Sequence, residues 1–252
     1  KWLIFMDSIE KGKNIRKIAK IIGDNTNNTY KEAMDILESK TYAKEMIKKY
    51  WFLTDEILDS NIYYPLEGYL YPNTYTFKSA DVKVEEIIEK MLNQTDKVLS
   101  KYQMEISSKG YTVHKFLSLA SVVENEGTNT VDRQGIAGVF SNRIQKGMAL
   151  QSDVTTYYAF KIDMGERDLT AKELNTFNKY NTRGPKMEGE IPVGPISNVS
   201  ESSIEATLNP TNIDALFFVA DKNGKVYFTK TNEEHEQIKN KLKEDGLWYT
   251  YN

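Results

Sequence analysis

Residues 112–126 read TVHKFLSLASVVENE, which is the most apolar helical pattern in the chain. Thr112 is a favourable N-cap residue, and the apolar side chains after it recur at helical spacing. The pattern predicts a buried helix from Val113 to about Glu126. Further amphipathic segments and short extended segments lie on both sides of it, which indicates a mixed α+β fold.

One acidic residue falls on the apolar face of this helix. Glu124 follows Ala120 by four residues and Leu117 by seven, so at about 100° per residue all three share one face. Burial raises the pKa of a carboxyl group, and a general acid must be protonated near neutral pH. Glu124 is therefore the predicted catalytic residue, a proton donor to a glycosidic oxygen.

A buried carboxylate also has a structural interpretation. Glu124 would then pair with an arginine such as Arg143 or Arg133 and hold helices in register. Glu126 lies about 200° further round the helix, so the two glutamates are not expected to flank one bond as a glycosidase pair. If a second carboxylate takes part, Asp153 is the nearest plausible source.

Composition excludes several classes of protein. With 252 residues, 40% hydrophobic and 27% charged, the chain is long enough for one large core or two smaller ones. The net charge is −3 and few of the 33 basic residues are arginine, which argues against a nucleic-acid partner. There is no cysteine and there are two histidines, without HExxH or GxSxG spacing. Catalysis is expected to use carboxylates, hydroxyls and amides, with no metal or cofactor.

The membrane relationship is an expectation about segments outside this sequence. The longest apolar run, Phe116–Val123, is far shorter than the ~20 residues that span a bilayer. The chain begins without an initiator methionine and seemingly within a strand, so we expect that a tag, a signal or an anchor precedes it.

Periodicity and turn residues divide the chain into elements. We expect the first 75 residues to form a strand–helix–helix lobe, either a small binding module or a part of one larger fold, and residues 76–252 to form a second domain. The aromatic-rich stretch 61–77 has two prolines and is expected to be extended with a turn, either as a sugar-stacking surface or as a packed strand pair. The other expected elements are a strand at 2–9, helices at 13–22, 30–37, 82–102, 130–146 and from 231, and a hairpin at 216–229.

Several blocks resemble one family, the endolytic murein transglycosylases, also called YceG-like. The block LASVVENE at 119–126 is similar to the family's helix ending in its catalytic glutamate. Six further matches, from LEGYLYPNTY through to a histidine, follow in family order. They are LEGYLYPNTY at 66–75, GVFSNRI at 138–144, GMALQSDVT at 147–155, YNT at 180–182, IPVGPISN at 191–198 and His235.

The resemblance implies cleavage of the MurNAc–GlcNAc β-1,4 bond within peptidoglycan strands, which limits the length of nascent strands. It leaves 1,6-anhydro-MurNAc ends, because the sugar's own C6 hydroxyl replaces water. It also implies a LysM-like N-terminal lobe, a single N-terminal membrane anchor with this part outside the cytoplasm, and cell-wall synthases as partners. The residues assigned to substrate binding are Asn142, Gln151, Ser152, Asp153, Tyr180, Asn181, Glu67 and Tyr75.

Two other functions remain open at this point. A lysozyme-type muramidase would use Glu124 with Asp153 and water, and would leave reducing ends. A noncatalytic glycan-binding scaffold for a synthase would keep Glu124 as a structural residue. Each substrate-binding side chain also has a structural alternative, a cap or loop hydrogen bond, such as Asp153 capping a helix over residues 154–160.

Overall fold

The structure, a computed structural model, describes residues 3–5 and 10–248. Its contacts divide the chain into two compact units. The first unit comprises Lys1–Glu124 and Val193–Ile204, and the second comprises Asn125–Pro192 and Glu205–Asn252. The domain boundary that we predicted near residue 75 falls inside the first unit, so the independence of residues 1–75 stays a prediction.

The first unit is mainly helical. Strand β1 (Leu3–Phe5) pairs in antiparallel register with β2 (Tyr75–Phe77), with Ile4 opposite Thr76. The remainder of the strand predicted at 2–9 lies outside the described residues. The helices are α1 (Ile15–Asn25), α2 (Tyr30–Leu37), α3 (Lys40–Lys49), α4 (Val84–Leu99), α5 (Gln103–Ser108) and α6 (Val113–Glu126).

Local sequence explains where these helices start. Thr29 and Glu32 form a reciprocal capping box at the N-terminus of α2, and Ser39 caps α3, a helix that the sequence analysis missed. The Thr112 side chain accepts the Lys115 N–H, as expected for the N-cap of α6. In α6 the residues from Phe116 to Glu124 are all buried, which confirms the predicted buried helix.

The aromatic stretch before β2 is mostly packed inside the first unit. Tyr64, Tyr69 and Tyr75 are each less than 5% exposed. Only Tyr75–Phe77 is a strand, and turns make up the stretch before it. Burial of these three rings favours the packing interpretation over a sugar-stacking surface, because a buried ring has no free face for a pyranose.

A returning segment completes the first unit. The Asn198 side chain accepts the Leu70 N–H at 2.7 Å and donates to the Lys13 carbonyl at 3.1 Å. The Ile196 N–H donates to Ser121 Oγ at 3.0 Å, which ties the segment to α6. These bonds place residues 193–204 with the N-terminal part of the chain, although they are distant from it in sequence.

The second unit contains the helices α7 (Thr130–Gln145), α8 (Asp153–Ala159), α9 (Ala171–Leu174) and α11 (Asn232–Glu244). Between α9 and α11, α10 (Glu201–Leu208) begins in the first unit and ends in the second. Strands β3 (Phe217–Ala220) and β4 (Val226–Thr229) form the predicted hairpin, and Thr231 with Glu234 forms the predicted capping box of α11. In the described part of the chain, the helices are too short or too polar to cross a bilayer.

Candidate active site

The last residue of α6, Glu126, lies at the wall of a cavity in the second unit. The cavity has a volume of about 440 Å³. Its lining comes from α7, the turn before α8, the β3 strand and α11. The lining residues are Glu126, Arg143, Leu150, Gln151, Asp153, Arg183, Phe217, Phe218, Val219, Ala220, Asn232, His235, Glu236, Lys239 and Trp248.

Glu126 has one close hydrogen-bond donor in the second unit. The Ser152 hydroxyl donates to its Oε1 at 2.5 Å, and Ser152 itself is 3% exposed. Glu126 is half-buried, so its carboxyl group is held by protein on one side and faces the cavity on the other. A carboxyl group in this position is both restrained and accessible.

Burial dominates the acidity of Glu126. Desolvation raises the pKa of Glu126 to about 7, and the charge of Asp153 raises it further. The Ser152 hydrogen bond and the charge of Arg183 act in the opposite direction. Although the residue keeps some accessible area, enough protein surrounds the carboxyl group for desolvation to be the largest influence. The carboxyl is therefore about half protonated near neutral pH, which suits proton transfer in both directions.

Two charged pairs lie in the same cavity. Asp153 is ion-paired with Arg183, and Glu236 is ion-paired with Lys239 at 2.8 Å. Because each carboxylate has a cationic partner, these groups stay charged close to Glu126. Asp153, which we predicted both as a substrate-binding residue and as a second carboxylate, is thus occupied by an arginine.

Arg143 forms the floor of the cavity. Its guanidinium donates to the carbonyl oxygens of Leu216 and Ala149, at 2.6 and 2.8 Å. Its charge lies 4.9 Å from the centre of the Phe217 ring, and His235 stacks on that ring at 5.5 Å. Burial lowers the pKa of both Arg143 and His235. His235 is consequently a neutral imidazole at neutral pH.

Glu124 has different surroundings, all described within the first unit. It is 5% exposed, and its Oε2 accepts both the backbone N–H and the hydroxyl of Ser200, at 2.7 and 2.6 Å. Ser200 directly precedes α10, and its carbonyl accepts the Ile204 N–H, as at the start of a helix. Glu124 thus holds the residue at the N-terminus of α10. Its predicted role as the catalytic acid stays a prediction, and this geometry favours the structural interpretation.

The structure brings Gln151, Ser152 and Asp153 together at the Glu126 cavity. The Gln151 side chain accepts from Arg143 at 3.4 Å. Asn142 instead donates to the carbonyl oxygens of Ile213 and Ala215, at 2.8 and 2.9 Å. Its contacts are those of a residue that supports the chain before β3.

The other predicted substrate-binding residues are buried. Tyr180 and Asn181 are fully buried, and Asn181 donates to the Thr176 carbonyl at 2.8 Å. In the first unit Glu67 is 1% exposed and accepts the Ile15 N–H at the start of α1, where a helix dipole favours an anion. Tyr75 is 3% exposed and donates to the Tyr71 carbonyl. For these four residues direct contact with a glycan stays a prediction, because their contacts in the structure are internal.

Sequence reasoning missed Glu126 because it took the deepest burial as the sign of a catalytic acid. The useful signal was the position of Glu126 in the last turn of α6, directly before Gly127. A residue at a helix end can be desolvated by protein and still reach a substrate. In the described part of the chain there is also no cluster of three or more histidine, aspartate and glutamate residues suited to a metal ion.

Together the fold and the cavity define an α+β protein whose site is built around one perturbed carboxyl group. The chain belongs to the YceG-like family, whose sequence model matches residues 6–241. The crystal structure at 2.6 Å resolution of a protein described as YceG-like from Listeria monocytogenes superposes with a TM-score of 0.86 at 40% identity. That match covers 92% of this chain and 75% of the other, and it confirms the predicted α+β fold.

Named relatives are similar over nearly the whole chain. An endolytic murein transglycosylase from Bacillus subtilis is 38% identical over 238 residues, which are 94% of this chain and 65% of the relative. A protein of the same name from Streptococcus pneumoniae is 36% identical over 243 residues, which are 91% of this chain and 43% of the relative. The chain therefore spans about two thirds of one relative and less than half of the other. The resemblance to this family that we inferred from motifs is confirmed.

Proposed function

We propose that this chain is the catalytic part of an endolytic peptidoglycan lytic transglycosylase, with Glu126 as its acid and base. The names of the relatives support the reaction class, and the Glu126 cavity supports the assignment of the residue. The observation that carries the assignment is a half-buried carboxyl group with a pKa of about 7, facing a cavity and held by Ser152.

One carboxyl group is sufficient for the reaction. The Glu126 carboxyl gives its proton to the oxygen that leaves C1 of MurNAc, and the C1–O bond breaks. The C6 hydroxyl of the same sugar then attacks C1, and its proton passes to the Glu126 carboxylate. The products are a 1,6-anhydro-MurNAc end and a free 4-hydroxyl on GlcNAc, and Glu126 is again protonated. Since the nucleophile is part of the substrate, the protein must mainly hold the ring and exclude water.

The cavity has the groups that this task needs. Gln151, Asn232 and the neutral His235 offer hydrogen-bonding side chains, while Trp248 offers an aromatic face. A neutral imidazole can accept or donate a hydrogen bond without adding charge next to the general acid. We propose that sugar hydroxyl and acetamido groups bind here.

Digestion of purified peptidoglycan tests the proposal. Wild-type protein is expected to release fragments with anhydro ends, measured by mass spectrometry, and Glu126→Gln protein is expected to release none. Reducing ends would instead assign a muramidase. If wild-type protein bound glycan and released no fragments, a noncatalytic scaffold would replace the enzyme.

We also propose the cellular setting that the family resemblance implies. The chain would work outside the cytoplasmic membrane, where peptidoglycan is, held by one N-terminal membrane segment and close to cell-wall synthases, where it limits strand length. The LysM-like lobe is part of the same proposal, and it is supported by the order β1, α1, α2 in the first unit. Protease protection of the full-length protein in intact and lysed spheroplasts tests the location: digestion of this part in intact spheroplasts is expected, and its protection would refute the proposal.

A further inference from the structure

We propose that Thr155 and Thr182 form a clamp that positions Ser152, and through Ser152 the carboxyl group of Glu126. Neither threonine contacts the carboxyl group in the contacts described above, so both are positioning residues and not catalytic ones. The inference rests on the proposed role of Glu126. We call these two residues the threonine clamp.

The clamp holds the backbone of Ser152 at both of its polar groups. The Ser152 N–H donates to Thr182 Oγ1 at 3.1 Å, and the Ser152 carbonyl accepts from the Thr155 hydroxyl at 2.7 Å. Thr155 and Thr182 are fully buried. Water therefore does not compete for these bonds, and the serine cannot rotate without leaving buried groups unpaired.

Proton counting fixes the direction of the bonds within the clamp. Each hydroxyl has a single proton, and Thr155 gives its proton to the Ser152 carbonyl. In the 2.8 Å contact between the two hydroxyls, Thr182 must then be the donor. The Thr182 N–H donates to Thr155 Oγ1 as well, at 3.0 Å. Because the hydrogens are used in one arrangement, removal of either hydroxyl disturbs the whole clamp.

The residue before Ser152 is strained. Gln151 has a φ of 55°, in the left-handed region, and its N–H donates to the Thr182 carbonyl at 3.2 Å. For a residue with a side chain this conformation costs about 1–2 kcal/mol. Strain of this kind persists where neighbouring bonds enforce it, and it is frequent at functional sites. Here the bonds to Thr182 enforce a turn that aims Ser152 at Glu126.

The consequence for Glu126 is a fixed orientation and a restrained acidity. The Ser152 hydroxyl donates to Glu126 at 2.5 Å, and this bond opposes the effect of desolvation on the pKa of the carboxyl group. The charged residues that act on the same group are Asp153, which raises its pKa, and Arg183, which lowers it. Those two are paired with each other, so Ser152 is the neutral group that can be varied without changing the charge of the cavity.

The test is a carboxyl titration of Glu126 by NMR in protein labelled with ¹³C-glutamate, with Glu126→Gln to assign the signal. In Thr182→Val protein the pKa of Glu126 is expected to rise by roughly 0.5 to 1, as it does in Ser152→Ala protein, because the opposing hydrogen bond is lost. Thr182→Ser keeps the hydroxyl and is expected to restore the wild-type value. If Thr182→Val does not fold, Thr155→Val removes the donor to the Ser152 carbonyl and is expected to give the same rise.

Thr156→Val is the matched control. Thr156 is also fully buried in α8, but its hydroxyl donates to Asn181 at 2.7 Å and not to Ser152. It is expected to lose similar stability and to leave the Glu126 titration unchanged. A wild-type titration in Thr182→Val, or an equal rise in Thr156→Val, would overturn the clamp. The titration needs no enzymatic activity, so failure of the proposed function would be seen separately, as absence of products from wild-type protein.

Discussion

Glu124 and Glu126 lie two residues apart in α6 and have different surroundings. Glu124 accepts two hydrogen bonds from Ser200 in the first unit, whereas Glu126 faces a cavity and accepts one bond from Ser152. Periodicity correctly predicted that Glu124 is buried. It could not predict the cavity, because residues up to 122 positions after Glu126 line it, out to Trp248.

The perturbed acidity of Glu126 predicts a stabilising substitution. Since the folded pKa of about 7 lies above the reference value of 4.5, folding favours the protonated carboxyl. The stability that Glu126 contributes is complete below pH 4.5 and is lost as the pH rises through 7. Glu126→Gln protein does not titrate here, so its unfolding free energy at pH 8 should exceed that of the wild type by on the order of 1–3 kcal/mol, with little difference at pH 4. Urea denaturation at both pH values measures this.

Glu124→Gln is the control for that experiment. The neutral amide is a weaker acceptor for the two Ser200 donors, so we expect a loss of about 1–3 kcal/mol at pH 7. A stabilising Glu124→Gln with a neutral Glu126→Gln would mean that the two environments are assigned the wrong way round.

His114 predicts a second pH effect, in the first unit. Its Nε2 lies 2.8 Å from the Val193 carbonyl and must carry a hydrogen, so Nδ1 accepts the Tyr69 hydroxyl at 2.8 Å. Burial lowers the pKa of His114 below 6.5, so folding favours the neutral ring. Its contribution is present above pH 6.5 and is lost as the pH falls through the folded pKa. Hence the stability advantage of wild type over His114→Gln should shrink from pH 8 to pH 5 in urea denaturation, and an advantage that grows would contradict the neutral assignment.

At the scale of elements, the helices were the most predictable part of the fold. The predicted bounds of α2 agree with the structure, and those of α7 differ by one residue, because Thr29, Asn129 and Gly147 give local start and stop signals. Helix α3 was missed although Ser39 caps it, since its apolar residues are few. The extended stretch at 61–77 was largely wrong, because its backbone bonds are made by distant residues such as Asn198.

Two glycines with similar backbones predict how strongly the first unit depends on one turn. Gly68 and Gly110 have φ values of 86° and 79°. An added Cβ on Gly68 would lie 2.3 Å from the Pro195 side chain, whereas nothing lies within 4 Å of one on Gly110. Gly110→Ala should therefore cost about 1 kcal/mol, from the backbone alone, and Gly68→Ala about 2–4 kcal/mol because of the added overlap. Equal losses on urea denaturation would show that the Pro195 contact is not rigid.

At the scale of the whole molecule, motif order predicted the family and the α+β class, and the match over residues 6–241 confirms the family. Folding joins segments that are far apart in sequence, such as 193–204 with the N-terminal part. A boundary at residue 75 could not account for this, because local composition does not report which distant segments pack together.

The central claim is that Glu126 is the acid and base of a peptidoglycan lytic transglycosylase. The most direct measurement is the rate at which wild-type, Glu124→Gln and Glu126→Gln proteins release anhydro-ended fragments, with thermal melting as the check on folding. We predict that Glu126→Gln is folded and loses activity by a factor of at least about 100, and that folded Glu124→Gln keeps activity within about tenfold of wild type. We also predict that the wild-type rate falls as the pH rises above about 7. Full activity in Glu126→Gln, with loss of activity in a folded Glu124→Gln, would contradict the account.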